Sequence, residues 1–369
     1  MENLNHNMNT NNNEELKIAA SFDIPYVQHL NHEAKIEQTL PDFAHDKEFL
    51  HNLYRNMLLT RLFDKKAISL QRTGKMGTYP SVLGQEAICV ATGALLEKED
   101  IFLPYYRDIG TMFMRGVKME EVLAYWGGDE RGSDFQNPDV KHDFPFCVPI
   151  AGQCLHAAGV AAAVKYKGEK KCVLVSLGDG ATSKGDFYES INVAGAWQLP
   201  LVTVIHNNQW AISVPRKLQT SSYTLAQKGI AAGLESIQVD GNDIIALCAV
   251  LKYAIEQARQ QRPILIEAIS YRMGDHTTAD DASRYRPASE LDSAKIKDPI
   301  SRLKNFMEQN SYWNEELETK LLNEITNKIN QAVETYLNME KPKPTTMFDY
   351  LYKELPEAYQ DQYQELENL

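Results

Sequence analysis

The chain has 369 residues, of which 43% are apolar, and its length allows a large core that we expect to form one α/β unit rather than two domains. Its formal net charge is −12, and Lys and Arg do not cluster on a repeating face, which argues against nucleic acid or an anionic membrane surface as a partner. The longest apolar run, Ile244–Leu251, is too short to cross a bilayer, so we expect no membrane-spanning segment.

The chain begins with an Asn-rich segment, residues 1–20, which has too few apolar groups to offset the entropy of ordering. We expect residues 1–40 to form a disordered or extended arm and residues 41–369 to form a single α/β domain with a C-terminal helical region. The segment has neither the apolar core of a secretory leader nor the arginines of a transit peptide. The five cysteines include no CxxC pair, which argues against disulfides or a zinc site, and we therefore expect a cytoplasmic protein.

Several helical patterns follow the N-terminal arm. Three-and-four spacing of apolar residues predicts a helix from Asp46 to Thr73, and Gly84-Gln85-Glu86 opens a second one. Arg107 then follows two tyrosines at a turn, where it is either a surface arginine or a fixed donor to an anion. The later segment QCLHAAGVAAAVKYKG is rich in small residues, which suits a central or subunit-contacting helix, although Ala is also simply a good helix former.

The stretch Lys171–Ser213 has the pattern of a strand, a Gly-Asp-Gly turn, a helix, a second strand and an Asn-Asn pair. This is a βαβ unit, whose right-handed crossover leaves both strands parallel with their carboxyl ends at one edge. Asp179 and Asn208 follow the two strands and should meet at this edge, where ligands of such sheets bind. Carboxylate and amide oxygens suit Mg²⁺, which binds few protein ligands together with phosphate oxygens.

The remaining features of this stretch suit a diphosphate held through the metal. Gly178 and Gly180 have no side chain to obstruct a ligand, and the backbone N–H groups of the helix start that follows face an anion. A main-chain carbonyl near Trp210 offers a third ligand for the metal. Gly-Asp-Gly and Asn-Asn are each common turn sequences, but their joint occurrence favours a metal site. The stretch does not match the dinucleotide-binding motif GxGxxG, because Ser183 stands at the third glycine position and His206 stands where an acidic residue would bind the ribose. It does not match a Walker A loop either, because the order GxxxxGK[ST] is absent.

A long polar loop, Gly274–Pro287, follows the apolar run ILIEAISYR, which has the composition of a strand buried on both faces. His276 in this loop is either a solvated histidine or an acid–base group near the metal edge. From Ile300 to Met339 the pattern is helical and charged.

These motifs resemble those of the α subunit of the heterotetrameric E1 component of 2-oxo acid dehydrogenase complexes, over about residues 40–365. The resemblance rests on GQEA at 84–87, YRD at 106–108, GDGATSKGDFYE at 178–189, NNQWAIS at 207–213 and YRMGDHTTADD at 271–281. It implies a thiamine-diphosphate-binding α/β fold, with a doubly wound, mostly parallel sheet flanked by helices.

The resemblance also implies a cofactor site residue by residue. Mg²⁺ would be bound by Asp179, Asn208 and the main chain of Trp210. Thiamine diphosphate would be contacted by Tyr106, Arg107, Val148, Ile150, Gly178, Asp179, Gly180, Ala181, Asn208 and His276. His276 matches the family's active-site histidine; His142, His156 and His206 are weaker candidates, of which His206 is the one that can approach the diphosphate.

The activity implied is oxidative decarboxylation of a 2-oxo acid, with transfer of the acyl group to the lipoyl group of a partner E2 protein. In this family a β subunit provides the glutamate that activates the cofactor, so this chain should be inactive alone, with its site at the α–β interface of an α₂β₂ assembly. GQEA and GDFYE resemble the bacterial pyruvate enzyme, whereas TTADDASRYR also resembles the branched-chain 2-oxo acid enzyme. An acetoin-cleaving relative and a non-catalytic paralogue with the same fold are further alternatives.

Three positions depart from the pattern of some relatives. Thr277 and Pro287 stand where mitochondrial relatives have regulatory serines, which argues against control by a kinase. Gly152 stands where some relatives use a hydroxyl to bind a structural monovalent cation, which argues against a potassium site.

Overall fold

The computed structural model describes residues 18–368, and its centre is a six-stranded sheet in which every neighbouring pair of strands is parallel. The strand order is β1-β7-β8-β4-β3-β2, and β5 and β6 form a separate antiparallel hairpin. The strands are β1 Tyr26–Val27, β2 Ile101–Leu103, β3 Val173–Gly178, β4 Leu201–Asn207, β5 Trp210–Ala211, β6 Val214–Pro215, β7 Glu235–Asp240 and β8 Ile264–Ile269. The predicted α/β fold with a mostly parallel sheet is confirmed.

Helices cover both faces of the sheet, because the central strands are apolar on both sides. In β3, Val173, Val175 and Leu177 pack in one core, whereas Leu174 packs in the other. The helices are α1 Lys47–Arg72, α2 Glu86–Leu95, α3 Ile109–Arg115, α4 Met119–Trp126, α5 Gly152–Tyr166, α6 Gly185–Trp197, α7 Arg216–Gln219, α8 Gln227–Ala231, α9 Ile244–Arg259, α10 Ala288–Ile296, α11 Pro299–Gln309, α12 Glu315–Leu337 and α13 Glu357–Glu367. Helices α5 and α6 lie on one face, and α1, α2 and α9 lie on the other.

The long first helix begins and ends close to where its sequence pattern does. The Asp46 carboxylate accepts a hydrogen bond of 3.1 Å from the Phe49 N–H, which satisfies one of the free donors of the first turn of α1. Helices α11 and α12 pack against α1, so the charged C-terminal pattern folds back onto the N-terminal part of the domain.

The N-terminal arm, expected over residues 1–40, is described only from residue 18, and residues 1–17 lie outside the described part. Its strand β1 pairs in parallel with β7, which makes it the edge strand of the sheet. The carboxylate of Asp243, at the start of α9, accepts hydrogen bonds from the His29 and Leu30 N–H groups. Leu30 is buried in the core, so this part of the arm is packed against the domain.

Within residues 18–368, each helix falls short of the length or the apolar character that crossing a bilayer requires.

Candidate active site

The carboxyl edge of β3 and β4 brings the Gly-Asp-Gly and Asn-Asn segments together. Gly178 at the end of β3 is in register with His206 near the end of β4, so the residues that follow the two strands are neighbours. After β3 the chain forms a 3-10 turn over Asp179–Ser183, and α6 begins only at Gly185. The N–H groups at this edge therefore belong to a tight turn rather than to the first turn of a long helix.

A cavity of about 310 Å³ opens at this edge. Every residue expected from the sequence to contact the cofactor or the metal contributes to its lining: Tyr106, Arg107, Val148, Ile150, Gly178, Asp179, Gly180, Ala181, Asn208, Trp210 and His276. These side chains come from five separate segments of the chain, which meet only because the parallel sheet gathers the strand ends at one edge.

Asp179 is buried with a partner that carries no charge. The residue is 1% exposed, and its Oδ2 accepts a hydrogen bond of 2.7 Å from Gln219 Nε2. Burial raises the pKa of its carboxyl, against smaller opposing effects of the Gln219 hydrogen bond and of Arg272 and Arg216. A buried carboxylate costs free energy unless a positive charge compensates it, so this position favours a bound cation.

Asn208 has its amide oxygen fixed by its own neighbours. Its Nδ2 donates to Gln85 Oε1 at 3.0 Å, which leaves Oδ1 as an acceptor near the Trp210 N–H, at 3.2 Å. The Trp210 carbonyl accepts a hydrogen bond of 3.3 Å from Arg272 Nη1. A carboxylate, an amide oxygen and a main-chain carbonyl form the kind of oxygen set that Mg²⁺ prefers.

The backbone around Trp210 is unusual. Gln209 and Ile212 have φ values of 74° and 53°, in the left-handed region that side chains rarely adopt. Such strain persists only where the surroundings impose it, and here Arg272 Nη2 donates to the Ile212 carbonyl at 2.8 Å. The turn that exposes the Trp210 carbonyl is therefore held by a buried arginine.

Several buried polar atoms beside the cavity have no hydrogen-bond partner among the described residues. They are Gln85 Nε2, Arg107 Nε, Gln153 Oε1 and Gln219 Oε1. Buried polar groups are normally paired in native proteins, so this set indicates that a polar ligand completes the site. The donor set and the unpaired atoms fit an anionic group held through a divalent cation.

Gly180 is packed where a side chain cannot be accommodated. A Cβ atom there would lie 2.5 Å from the Ala211 Cβ on β5, well inside van der Waals contact. At Gly178, by contrast, the nearest atom to such a Cβ would be Tyr105 Cε2 at 3.9 Å. Gly180 therefore sets the close approach of the 3-10 turn to the hairpin that carries Trp210.

We expect Gly180→Ala to move the turn away from β5, with a loss of about 1–3 kcal/mol in the free energy of unfolding and weaker ligand binding. Gly185→Ala is the matched control, because a Cβ there meets no atom within 4 Å, and its effect should stay below about 0.5 kcal/mol. Chemical denaturation of both variants checks this. If the two variants were equally stable, the 2.5 Å distance between a Cβ at position 180 and the Ala211 Cβ would not exclude a side chain there.

Arg107 is a buried arginine rather than a surface one. Its guanidinium donates to the Ser81 carbonyl at 2.5 Å and to the His276 carbonyl at 3.2 Å. The Tyr106 ring lies 5.2 Å from the Arg107 guanidinium carbon and 6.1 Å from the His276 ring. Arg107 thus places a fixed positive charge at the cavity and also holds the loop that carries His276.

His276 faces two arginines across its Nδ1 atom. Arg107 Nη2 and Arg272 Nη1 each lie 3.4 Å from Nδ1, and because both are donors, Nδ1 is the acceptor. Burial and the charges of Arg107 and Arg272 lower the pKa of His276 to about 4, with Asp280 opposing them. The imidazole is therefore neutral at physiological pH and carries its proton on Nε2.

The three weaker histidine candidates do not line the cavity. His142 and His156 are exposed, and the His156 ring stacks on Phe144 with 6.3 Å between centroids. His206 is completely buried beneath the site, with Nε2 3.5 Å from Asp108 Oδ1. The structure does not support the expectation that His206 approaches the diphosphate, because its ring packs against that of Tyr105, with 4.9 Å between the ring centroids, and does not line the cavity.

His206, Asp108 and Cys89 place their donor atoms within 4.8 Å of one another. Burial raises the pKa of Asp108 to about 8 and that of Cys89 well above its usual value, and it lowers the pKa of His206 to about 3. All three groups are therefore mostly uncharged near neutral pH. A metal needs deprotonated ligands, so we interpret this cluster as a neutral polar core rather than a metal centre.

Sequence reasoning missed three residues that orient the site: Gln85, Gln219 and Arg272. Gln85 Oε1 accepts from both Asn208 and the Tyr105 hydroxyl, and its only signal was its place in the GQEA motif. Gln219 reaches Asp179 from the short helix α7, forty positions further along the chain. No local sequence pattern connects Gln219 with Asp179, so this contact is evident only in the folded chain.

A family model and curated proteins were compared with this chain, and their matches agree on one enzyme family. The family model described as "Dehydrogenase E1 component" matches residues 54–345. A protein of Acholeplasma laidlawii named pyruvate dehydrogenase E1 component subunit alpha is 41% identical, over 90% of this chain and 95% of its own length. Proteins of the same name from Staphylococcus aureus (strain Mu50) and Bacillus subtilis (strain 168) are each 37% identical, covering 94% and 91% of this chain and 93% and 91% of their own lengths.

Proposed function

This chain belongs to the dehydrogenase E1 component family, and we propose that it is the α subunit of a pyruvate dehydrogenase E1 component. With a β subunit it catalyses thiamine-diphosphate-dependent oxidative decarboxylation of pyruvate and transfer of the acetyl group to the lipoyl group of E2. The observation that carries the proposal is the oxygen donor set of Asp179, Asn208 and Trp210 in one cavity of a chain with these relatives.

Thiamine diphosphate, when bound, would supply a nucleophilic carbon and a sink for the electrons released on decarboxylation of a 2-oxo acid. In this proposal Asp179, Asn208 Oδ1 and the Trp210 carbonyl bind Mg²⁺. The N–H groups of Gly180 and Ala181 in the 3-10 turn, together with Arg107, bind the diphosphate oxygens. The main chain at Val148 and Ile150 contacts the aminopyrimidine end.

The role of His276 follows from its protonation state. A neutral imidazole with its proton on Nε2 can donate a hydrogen bond to a carboxylate or an enolate oxygen. The same N–H can donate a hydrogen bond to the negative charge that develops on the lipoyl sulfur, while Nδ1 stays anchored by Arg107 and Arg272. We propose that His276 serves the acyl transfer step in this way.

The proposed β subunit closes the cavity. Val148, Ile150 and Ile212 line it, yet they are 48%, 45% and 56% exposed, which leaves an apolar rim for a partner to cover. Among the described residues, Asp179 is the only carboxylate in the cavity lining, which fits an activating glutamate contributed by the partner. We propose an α₂β₂ assembly that delivers its product to a lipoylated E2.

We also propose that the protein works in the cytoplasm. Its five cysteines are all unpaired and four of them are buried, which suits a reducing compartment.

Substrate choice separates this proposal from the branched-chain alternative. We expect the co-purified αβ enzyme to use pyruvate with a kcat/KM at least about tenfold above that for 2-oxoisovalerate, since one pocket discriminates aliphatic chains by roughly 10- to 200-fold. Dye-linked oxidation of each acid by the same preparation measures the ratio. A preference for 2-oxoisovalerate would reassign the chain to the branched-chain enzymes, and activity with neither acid would favour a non-catalytic paralogue.

A further inference from the structure

A buried lysine lies directly behind the Gly-Asp-Gly turn. Lys228 belongs to the short helix α8, is 5% exposed and does not line the cavity. Its Nζ donates to the Thr182 carbonyl at 2.7 Å and to Thr182 Oγ1 at 2.9 Å. A buried ammonium group carries a large desolvation cost, so its two contacts with one residue of the turn call for a functional explanation.

Thr182 relays this contact to the proposed metal ligand. Its hydroxyl donates to the Asp179 carbonyl at 2.8 Å, and since that uses its only proton, it must accept from Lys228. A chain of hydrogen bonds therefore runs from Lys228 through Thr182 to the main chain of Asp179. It spans the 3-10 turn, whose first residue is Asp179 and whose fourth is Thr182.

Two aromatic rings and two charged residues lie near the ammonium group of Lys228. Its Nζ lies 5.2 Å from the Tyr188 ring centroid and 5.9 Å from that of Phe187, both on α6. Burial and the charge of Arg216 lower its pKa to about 8, while Glu267 acts in the opposite direction. The lysine therefore remains mostly charged at neutral pH.

Helix α8 is itself anchored to the other half of the site. Glu267 on β8 accepts hydrogen bonds from the Leu225 and Ala226 N–H groups, at 2.8 and 3.0 Å, just before α8 begins. The second oxygen of the same carboxylate accepts from Asn207 Nδ2 at 2.6 Å. One buried acid thus links the segment before α8 to the Asn-Asn pair, and Lys228 links α8 to the Gly-Asp-Gly turn.

We propose that Lys228 is a positioning residue that holds the Asp179–Ser183 turn, through Thr182, in the conformation that binds the metal–diphosphate group. This inference rests on the proposed function, because it assigns Lys228 a role in that same site. It predicts that loss of Lys228 weakens cofactor binding more than it slows turnover of the loaded enzyme, since the lysine touches no reacting group.

Calorimetric titration of thiamine diphosphate into the αβ assembly at fixed Mg²⁺ tests this inference. We expect Lys228→Met to raise the Kd at least about tenfold, the size associated with a lost hydrogen bond to a charged group, and to leave kcat at saturating cofactor within about twofold. Lys228→Arg should recover most of the affinity. Lys252→Met, at an exposed position of α9, is the matched control and should bind as wild type does.

Thr182→Val provides a second, independent test, because it removes the hydroxyl but keeps the carbonyl. It should weaken binding as well, and combining it with Lys228→Met should add little further loss, since both act through one chain of hydrogen bonds. An unchanged Kd in Lys228→Met and Thr182→Val, or fully additive losses, overturns the inference. Failure of the wild-type assembly to bind the cofactor would instead contradict the proposed function itself.

Discussion

Asp179→Asn should bind thiamine diphosphate at least about 100-fold more weakly than wild type in the presence of Mg²⁺, and the αβ enzyme should lose its activity at ordinary cofactor concentrations. The substitution is isosteric and keeps one oxygen that can accept from Gln219 Nε2, while it removes the negative charge and replaces the second oxygen with an NH₂ group. Calorimetry with the αβ assembly measures the loss.

Stability without cofactor should respond differently to Asp179→Asn. Burial raises the pKa of Asp179, so its ionised form costs the unliganded protein stability at neutral pH. The unliganded variant should therefore unfold at the same temperature as wild type or higher. Glu189→Gln is the control, because this carboxylate is exposed on α6 ten positions away. If Asp179→Asn bound thiamine diphosphate as tightly as wild type does, Asp179 would not be a metal ligand.

His276→Ala should separate cofactor binding from acyl transfer. We expect its Kd for thiamine diphosphate to stay within about threefold of wild type, while acetyl transfer to lipoylated E2 falls by about 100-fold or more, the usual cost of losing a hydrogen-bond donor to developing negative charge. The overall reaction is followed by NADH formation in the reconstituted complex, and dye reduction reports the steps before transfer. His156→Ala, at an exposed position outside the cavity, is the control.

The pKa of His276 gives this prediction a second readout. Because desolvation and two arginines lower that pKa to about 4, the ring stays neutral as the pH rises from about 5.5 to 8. Protonation begins only as the pH falls toward the lowered pKa, so this residue should cause no inflection near 6.5 in the pH profile of acyl transfer. Unimpaired overall turnover in His276→Ala would refute its role.

The central part of the site could be predicted because it depends on general rules of α/β folds. Parallel strands and a right-handed crossover dictate that Asp179 and Asn208 meet at one edge, whatever the rest of the chain does. The apolar run of β8 likewise indicated a strand buried on both faces. Positions such as Val148 and Ile150 came only from the family resemblance, since no residue pattern marks them.

The supporting residues could not be predicted, because their contacts link segments with no shared pattern. Gln219 and Lys228 lie on helices of four and five residues, too short for any apolar periodicity. The strands β1, β5 and β6 have two residues each and give no alternation signal. The sequence predicted a Gly-Asp-Gly turn followed by a helix, but it did not show that this turn is a 3-10 turn of five residues, Asp179–Ser183, before α6 begins.

The most direct test of the central claim is a crystal structure of the αβ assembly with thiamine diphosphate and Mn²⁺ in place of Mg²⁺, using the anomalous signal of the metal. We expect one manganese peak per site, about 2.2 Å from an Asp179 carboxylate oxygen, Asn208 Oδ1 and the Trp210 carbonyl, with the diphosphate completing its coordination. A peak at another position, such as the Cys89, Asp108 and His206 cluster, or cofactor bound away from the cavity, would contradict it.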